Sequence, residues 1–264
     1  MHQQEDLRKY NPDGSTLRKA QLRILSILQT VDAIFAKYHI EYYLDGGTLL
    51  GAVRHGGFIP WDDDLDISVR REDYSKIRKI LKEELPDDLV FQDRFEDWNM
   101  PLMIAKVRDK NSYFYEAEWT DKLKEKGLYI DLIPMEKIPS WSWKLKLDYW
   151  YGHCVRGIHN YTTPMDKVFS YLVFPFAWLL VQSTRLINHF IKSDQVADIY
   201  GWKPTGCYMR KDVFPTKRMS FEGFMASVPN NPDAMLKGLF GDYMQIPPEE
   251  KRAIHATKIE FFDE

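Results

Sequence analysis

The chain has 264 residues with 36 Lys plus Arg against 39 Asp plus Glu, and its formal charge of -3 gives no field that argues for a nucleic-acid partner. Its two cysteines, Cys154 and Cys207, lie 53 positions apart without a C-x-x-C pattern, which supports neither a zinc site nor a disulfide framework. The length suits one compact unit, and the acidic, weakly apolar start MHQQEDLRKYNPDG does not read as a secretory signal, so a cytoplasmic location is expected.

Residues 16 to 39 place Leu25, Leu28, Val31, Phe35 and Tyr38 at the three- and four-residue spacing of an amphipathic helix packed on a core. A short extended piece, Tyr42 to Leu44, follows. It ends at Asp45, and Gly46 and Gly47 break it before the helix-compatible TLLGAVR. A strand, a tight turn and a helix start leave unpaired backbone N–H groups that an anion can approach where Cβ atoms are missing. Thr48 can cap that helix or contact the anion.

The next segment, WDDDLD at 61 to 66, holds four carboxylates within five positions. Two unit charges about 4 Å apart interact by roughly 4 kcal/mol at an effective dielectric near 20, so the carboxylates either splay into water or share a divalent cation. From Asp64 the chain alternates, with Leu65, Ile67 and Val69 on one parity and Asp64, Asp66 and Ser68 on the other, the period of a half-buried strand. Asp64 and Asp66 thus share a face. Asp62 joins them if the strand begins early, and Asp63 faces away.

Glu72 to Leu85 reads as a helix stopped by Pro86, and strands are predicted at 88 to 91, 102 to 108 and 112 to 115. Lys106 and Arg108 share a face of the second, where they could meet phosphates or line a solvated edge. In GLYIDLIP, Asp131 sits between Ile130 and Leu132, and a carboxylate inside an apolar strand needs a partner. Backbone donors could satisfy it; a third metal ligand is the more economical explanation beside a D-x-D strand. Residues 141 to 200 are predicted to be largely helical. Within them VFSYLVFPFAWLLV, 168 to 181, contains Pro175 and is shorter than the roughly 20 residues of a membrane span. A buried core helix is expected, with an interfacial helix as the alternative in view of Trp141, Trp143, Trp150, Trp178, Lys144, Lys146 and Arg156. A hairpin around RMSFEGFMASVP and a helix opening at Asn231-Pro232 complete the chain.

The stretches LDGGTLLGAVRHGGFIPWDDDLDISVRREDY (44 to 74), YIDLIPME (129 to 136) and LFGDYMQIPP (239 to 248) together resemble the LicD/fukutin-related phosphotransferase family, and more distantly the polymerase beta-like nucleotidyltransferases. The resemblance implies an α+β fold, a mixed sheet core flanked by helices, as one catalytic domain over 1–264. Within it, 1–140 would be the nucleotidyltransferase core, 141–200 a helical insertion and 201–264 the completing hairpin and helix. It implies Asp64, Asp66 and Asp131 as ligands of Mg²⁺, with Mn²⁺ as the alternative ion, and Asp62 as the acidic residue beside them. Gly46, Gly47 and Thr48 match the donor-phosphate turn, with Arg54 and Lys106 as further phosphate contacts, whereas His55 reads as a surface residue. The chain has Glu136 where the family often has an aspartate, and Gly-Thr where the polymerase beta-like group commonly has Gly-Ser.

What the resemblance implies about activity is transfer of phosphocholine, or a related phospho-alcohol, from a CDP-linked donor, CDP-choline foremost, to a cell-surface glycan: a teichoic acid, lipopolysaccharide or capsule precursor. Asp131 or Asp62 would be the base, and Trp61, Trp119 or Tyr115 could box a quaternary ammonium. A lipid-linked acceptor would give 141 to 191 a reason to touch the inner face of the membrane peripherally. The rival expectations are a nucleotidyltransferase moving NMP from an NTP, and a non-catalytic ligand-binding relative.

Overall fold

The computed structural model describes residues 6–97, 99–100, 104–149, 164–190, 193–198, 206–252 and 254–262. Helix α1 (Thr16–Lys37) starts where the Ser15 side chain accepts the Arg18 N–H, and it buries Ile24, Leu28, Val31 and Phe35 on one face. Strand β1 (Tyr42–Leu44) is wholly buried and runs into Asp45, which caps α2 (Gly46–His55) by accepting the Gly46 N–H.

Strand β2 (Asp66–Arg70) follows, then α3 (Tyr74–Glu84), β3 (Leu89–Gln92), β4 (Ala105–Asp109), β5 (Ser112–Tyr115) and β6 (Tyr129–Lys137). The main sheet has the order β1-β2-β6-β4-β3. Only the β2–β6 pairing is parallel, with Asp66 opposite Asp131, while β4 lies antiparallel to β6 with Lys106 opposite Asp131. The expected mixed sheet with flanking helices, an α+β arrangement, is what forms. Leu65, Ile67 and Val69 are fully buried, so the apolar parity of this stretch faces the core as its period of two requires.

Beyond the sheet, residues 141–149 form α4 and Pro164–Phe190 form α5. The prediction of helix through residue 200 needs correction: β7 (Gln195–Ala197) pairs with β6 at Glu136 and Lys137, and β8 (Tyr208–Met209) pairs with β7. A strand edge at the end of β6 offers Gln195–Ala197 backbone partners that a helix there would leave unpaired. The core-helix expectation for 168–181 also gives way. Val168, Phe169, Leu172, Phe176 and Leu179 are exposed, and Val181 is buried in a small core with Ile104, Ile138, Leu147 and Ala197. The Trp143 indole N–H donates to Thr184 and ties α4 to α5. Lys144 is fully buried against Asp148 and Asp198, so it does not face outward, and Trp150 and Arg156 lie outside the described residues. Among the described residues no helix is long and apolar enough to cross a membrane.

The carboxy-terminal part contains α6 (Arg210–Val213), the predicted hairpin as β9 (Lys217–Phe221) and β10 (Phe224–Val228), α7 (Pro232–Phe240), and β11 (Lys258–Phe261). β11 pairs with β5, which brings the last residues back beside the acidic loop.

Candidate active site

Two strands and one loop assemble the acidic site. The parallel register sets Asp66 directly beside Asp131, while Asp62 and Asp64 come from the loop that enters β2. The sheet positions these groups tightly: the Asp66 N–H donates to the Thr48 hydroxyl, the Asp45 N–H to the Asp66 carbonyl, and the Asp131 N–H to the Leu65 carbonyl. The Thr48 side chain is therefore a brace between α2 and β2.

The glycine turn is pressed against the carboxylates. Gly46 has φ +54°, and a Cβ there would lie 3.2 Å from Asp66 Oδ2; a Cβ at Gly47 would lie 3.1 Å from Asp62 Oδ2. Side chains at these positions would enter the acidic site, which explains the Gly-Gly pair by close approach as well as by backbone freedom. The first turn of α2, with its unpaired N–H groups, accordingly opens onto the site.

Electrostatics make the cluster costly. Burial, then the neighbouring Asp64, pushes Asp62 well above the usual carboxylate range. Burial raises Asp64 to about 6, and burial followed by Asp64 and Asp131 pushes Asp66 well above its ordinary value. Asp131 is also raised by burial, against the opposing pull of Lys106, whose Nζ lies 2.6 Å from Asp131 Oδ1 and 3.3 Å from the centroid of the Tyr129 ring. Carboxylates that crowd one another in low dielectric call for a shared cation.

Among the described residues, ligand atoms of Asp62, Asp64 and His255 lie within 4.8 Å of one another, a group that contains Asp64 but neither Asp66 nor Asp131 of the three expected ligands. His255 was not visible in the sequence pattern. Its ring Nδ1 lies 2.9 Å from Asp63 Oδ1 and 3.5 Å from Asp64 Oδ2, and the hydrogen bond to Asp63 raises it to about 10. As a counter-charge beside these acids His255 offsets part of the repulsion, and its ring nitrogen shares the ligation range of the Asp62 and Asp64 oxygens. Asp63 is fully buried and accepts from the N–H groups of His255 and Ala256, and the same His255 ring nitrogen lies near both Asp63 and Asp64. The hard oxygen donors of Asp62, Asp64, Asp66 and Asp131 are the chemistry that suits Mg²⁺ or Mn²⁺.

Other expected contacts lie elsewhere. Arg54 sits in the last turn of α2, eight residues from Gly46, and donates to the Tyr243 and Gln245 carbonyls and to His55. The structure does not bring it to the carboxylates, because about 12 Å of helix separates the two ends. Lys106 is at the site but engaged with Asp131. Arg108 is buried, donating to Gln92 and the Gly127 carbonyl, so it lines no solvated edge. Trp61 is buried against Tyr10 with Arg252 over its ring, Tyr115 stacks on Tyr113, and the Trp119 side chain lies outside the described residues.

A cavity of about 190 Å³ opens beside Asp66 and Gly46, with Ile133, Met135, Tyr208 and Leu239 as its apolar wall and Asp45 and Asp198 as its other acids. Sequence reasoning missed it because β7, β8 and α7 deliver that wall from distant parts of the chain.

Residues 39–182 match the family described as LicD/FKTN/FKRP, nucleotidyltransferase domain. The chain is similar to the lipopolysaccharide cholinephosphotransferase LicD of Haemophilus influenzae, with 29% identity over 91% of this chain and 96% of that protein. An uncharacterized protein of Rickettsia prowazekii is 39% identical over 50% of this chain and 51% of its own. A short stretch, 16% of this chain and 8% of the relative, is 46% identical to the human ribitol 5-phosphate transferase FKRP.

Proposed function

The chain belongs to the LicD/FKTN/FKRP nucleotidyltransferase-domain family, and from that premise we propose that it transfers phosphocholine, or a related phospho-alcohol, from a CDP-linked donor to a hydroxyl of a cell-surface glycan. The observation that carries this reading is the cluster of three half-buried carboxylates, Asp62, Asp64 and Asp66, beside the buried Asp131, with Asp62 and Asp66 against the glycine turn at the start of α2. The activities of the relatives, cholinephosphotransfer and ribitol 5-phosphate transfer, favour a phospho-alcohol as the group moved.

Asp62, Asp64, Asp66 and Asp131 would hold Mg²⁺ or Mn²⁺. Such an ion supplies charge neutralisation and alignment of a pyrophosphate for in-line displacement. The first-turn N–H groups of α2 at Gly47 and Thr48, next to the Gly46 N–H that Asp45 accepts, would donate to phosphate oxygens. Lys106 holds Asp131 in place and adds positive charge near the leaving group, and Asp62 or Asp131 would take the proton of the attacking hydroxyl. The cavity beside Asp66 suits a small alcohol: Ile133, Met135 and Leu239 offer apolar surface, and Tyr208 an aromatic face for a quaternary ammonium. The exposed apolar side of α5 would rest on the membrane where a lipid-linked acceptor resides.

The decisive measurement gives purified protein CDP-choline labelled in the choline phosphate, or an NTP labelled at the α-phosphate, together with a glycan acceptor and Mg²⁺. Label moving to the acceptor from CDP-choline, with CMP released, is expected. Transfer of NMP instead would replace this reading with the nucleotidyltransferase one.

A further inference from the structure

A second cavity, about 220 Å³, lies at the other end of the β2–β6 pair. Arg71 follows β2 five residues after Asp66, and Glu136 lies five residues after Asp131, so about 16 Å of strand separates this place from the carboxylates. Its wall holds three guanidinium groups, from Arg71, Arg94 and Arg185, against one acidic lining residue, Asp93. Asp93 is directed away from the cavity's cations: Oδ1 accepts the Phe95 and Glu96 N–H groups, and Oδ2 pairs with Arg78 at 2.8 Å.

The arginines are held in position by the fold. Glu136, almost wholly buried, lies 2.6 Å from Arg185 and 3.3 Å from Arg71, fixing one guanidinium from α5 beside one from the end of β2. Arg94 donates to the Met100 carbonyl from the loop after β3 and is only 5% exposed. Three separate segments thus converge positive charge on one space, and a guanidinium fork matches carboxylate and phosphate oxygens in a way an ammonium does not. Apolar rings complete the wall. Trp178 and Phe95 are both exposed here, the second with the Arg78 guanidinium over its ring, and the Gln182 amide oxygen accepts from Arg185 Nη1. That combination of ring faces, an amide and forked cations is what a sugar bearing an acidic group requires.

We infer that this cavity binds a sugar unit carrying a phosphate or carboxylate, and that it holds a remote part of the acceptor while another part meets the acidic site. The acceptor role rests on the transferase reading above; the binding of an anionic sugar does not. A clasp that only fastens α5 to the sheet would account for the Glu136 contacts but would bind nothing, and the test separates the two.

Calorimetry on the full chain would compare glucose 6-phosphate, glucuronate, glucose, inorganic phosphate and phosphatidylglycerol vesicles. Saturable binding of the two anionic sugars is expected, at least tenfold tighter than glucose and than inorganic phosphate. Arg185→Gln and Trp178→Ala should each weaken it at least tenfold while CDP-choline binding stays within twofold. Trp178 is partly exposed and makes the second variant safe for folding if the first disturbs α5. Binding of inorganic phosphate as tight as that of the sugars, arginine-dependent binding of vesicles alone, or affinity unchanged in both variants would each overturn the inference. Anionic-sugar binding without any turnover would leave it standing and count against the transferase reading instead.

Discussion

The two ends of the β2–β6 pair pose opposite charge problems. At one end buried carboxylates raise one another, with Lys106 and His255 as the nearby cations. At the other, guanidinium groups gather around Glu136 and a cavity with apolar rings. A single parallel register creates both, because aligning Asp66 with Asp131 also aligns Arg70 with Met135 and brings Arg71 to Glu136. On the proposals above the acidic end would take a cation and the basic end an anion, and of the two the acidic end is the one built against a helix N-terminus and a glycine turn. The difference teaches that charge sign alone does not mark the chemistry. What distinguishes the acidic end is crowding of like charge that Lys106 and His255 offset only in part.

That contrast breaks most sharply at Asp66. Asp66→Asn should lower transfer by roughly 10³-fold, about 4 kcal/mol of lost transition-state stabilisation, while raising the Tm of the metal-free protein because one buried repelling charge is gone. Steady-state rates and calorimetric melting would check both halves. Retained activity would remove Asp66 from the site, and an unchanged Tm would deny the repulsion.

Gly46→Ala tests the close approach. A side chain at φ +54° costs about 1–2 kcal/mol, and its Cβ would press on the Asp66 carboxylate, so activity should fall roughly 10- to 100-fold with a modest loss of stability. Equal activity in the variant would mean that the turn is an ordinary one.

A smaller effect concerns pH and metal. Asp64 rises from 3.8 to about 6 in the fold, and Asp62 and Asp66 move in the same direction. A carboxylate raised by folding favours the protonated form, so its stabilisation is present below about pH 4 and is lost as pH climbs through about 6. The metal-free protein should therefore melt lower at pH 7.5 than at pH 5.5, by roughly 5 °C, and millimolar Mg²⁺ should remove most of the difference at pH 7.5, with EDTA restoring it. A Tm that rises with pH and ignores Mg²⁺ would contradict the acidic end as described. Arg185→Gln should keep the Mg²⁺ response of the unaltered chain, since that change lies at the basic end.

Much of the acidic end was legible in the chain. Period-two alternation gave β2 and its buried face, Gly-Gly before TLLGAVR gave the turn, and a carboxylate embedded between Ile130 and Leu132 marked Asp131. The misplaced features have a common cause. Arg54 looked near the phosphate turn by sequence distance, yet a helix carries it about 12 Å away. The apolar run 168–181 looked like core because composition reports hydrophobicity and not what covers it; Phe176 is 72% exposed.

The sequence by itself determined local matters: the helix of α1 by its 3.6-residue period, the strand faces by alternation, the turn by glycine and the acidic character of one loop. Tertiary structure alone decided which distant groups meet. The register of β2 on β6 set Asp66 beside Asp131, β11 on β5 carried His255 to Asp63, and α5 brought Arg185 to Glu136. Periodicity is written in neighbouring side chains, whereas partners 65 or 192 positions apart are chosen by pairing and burial of the whole fold, which no local pattern encodes.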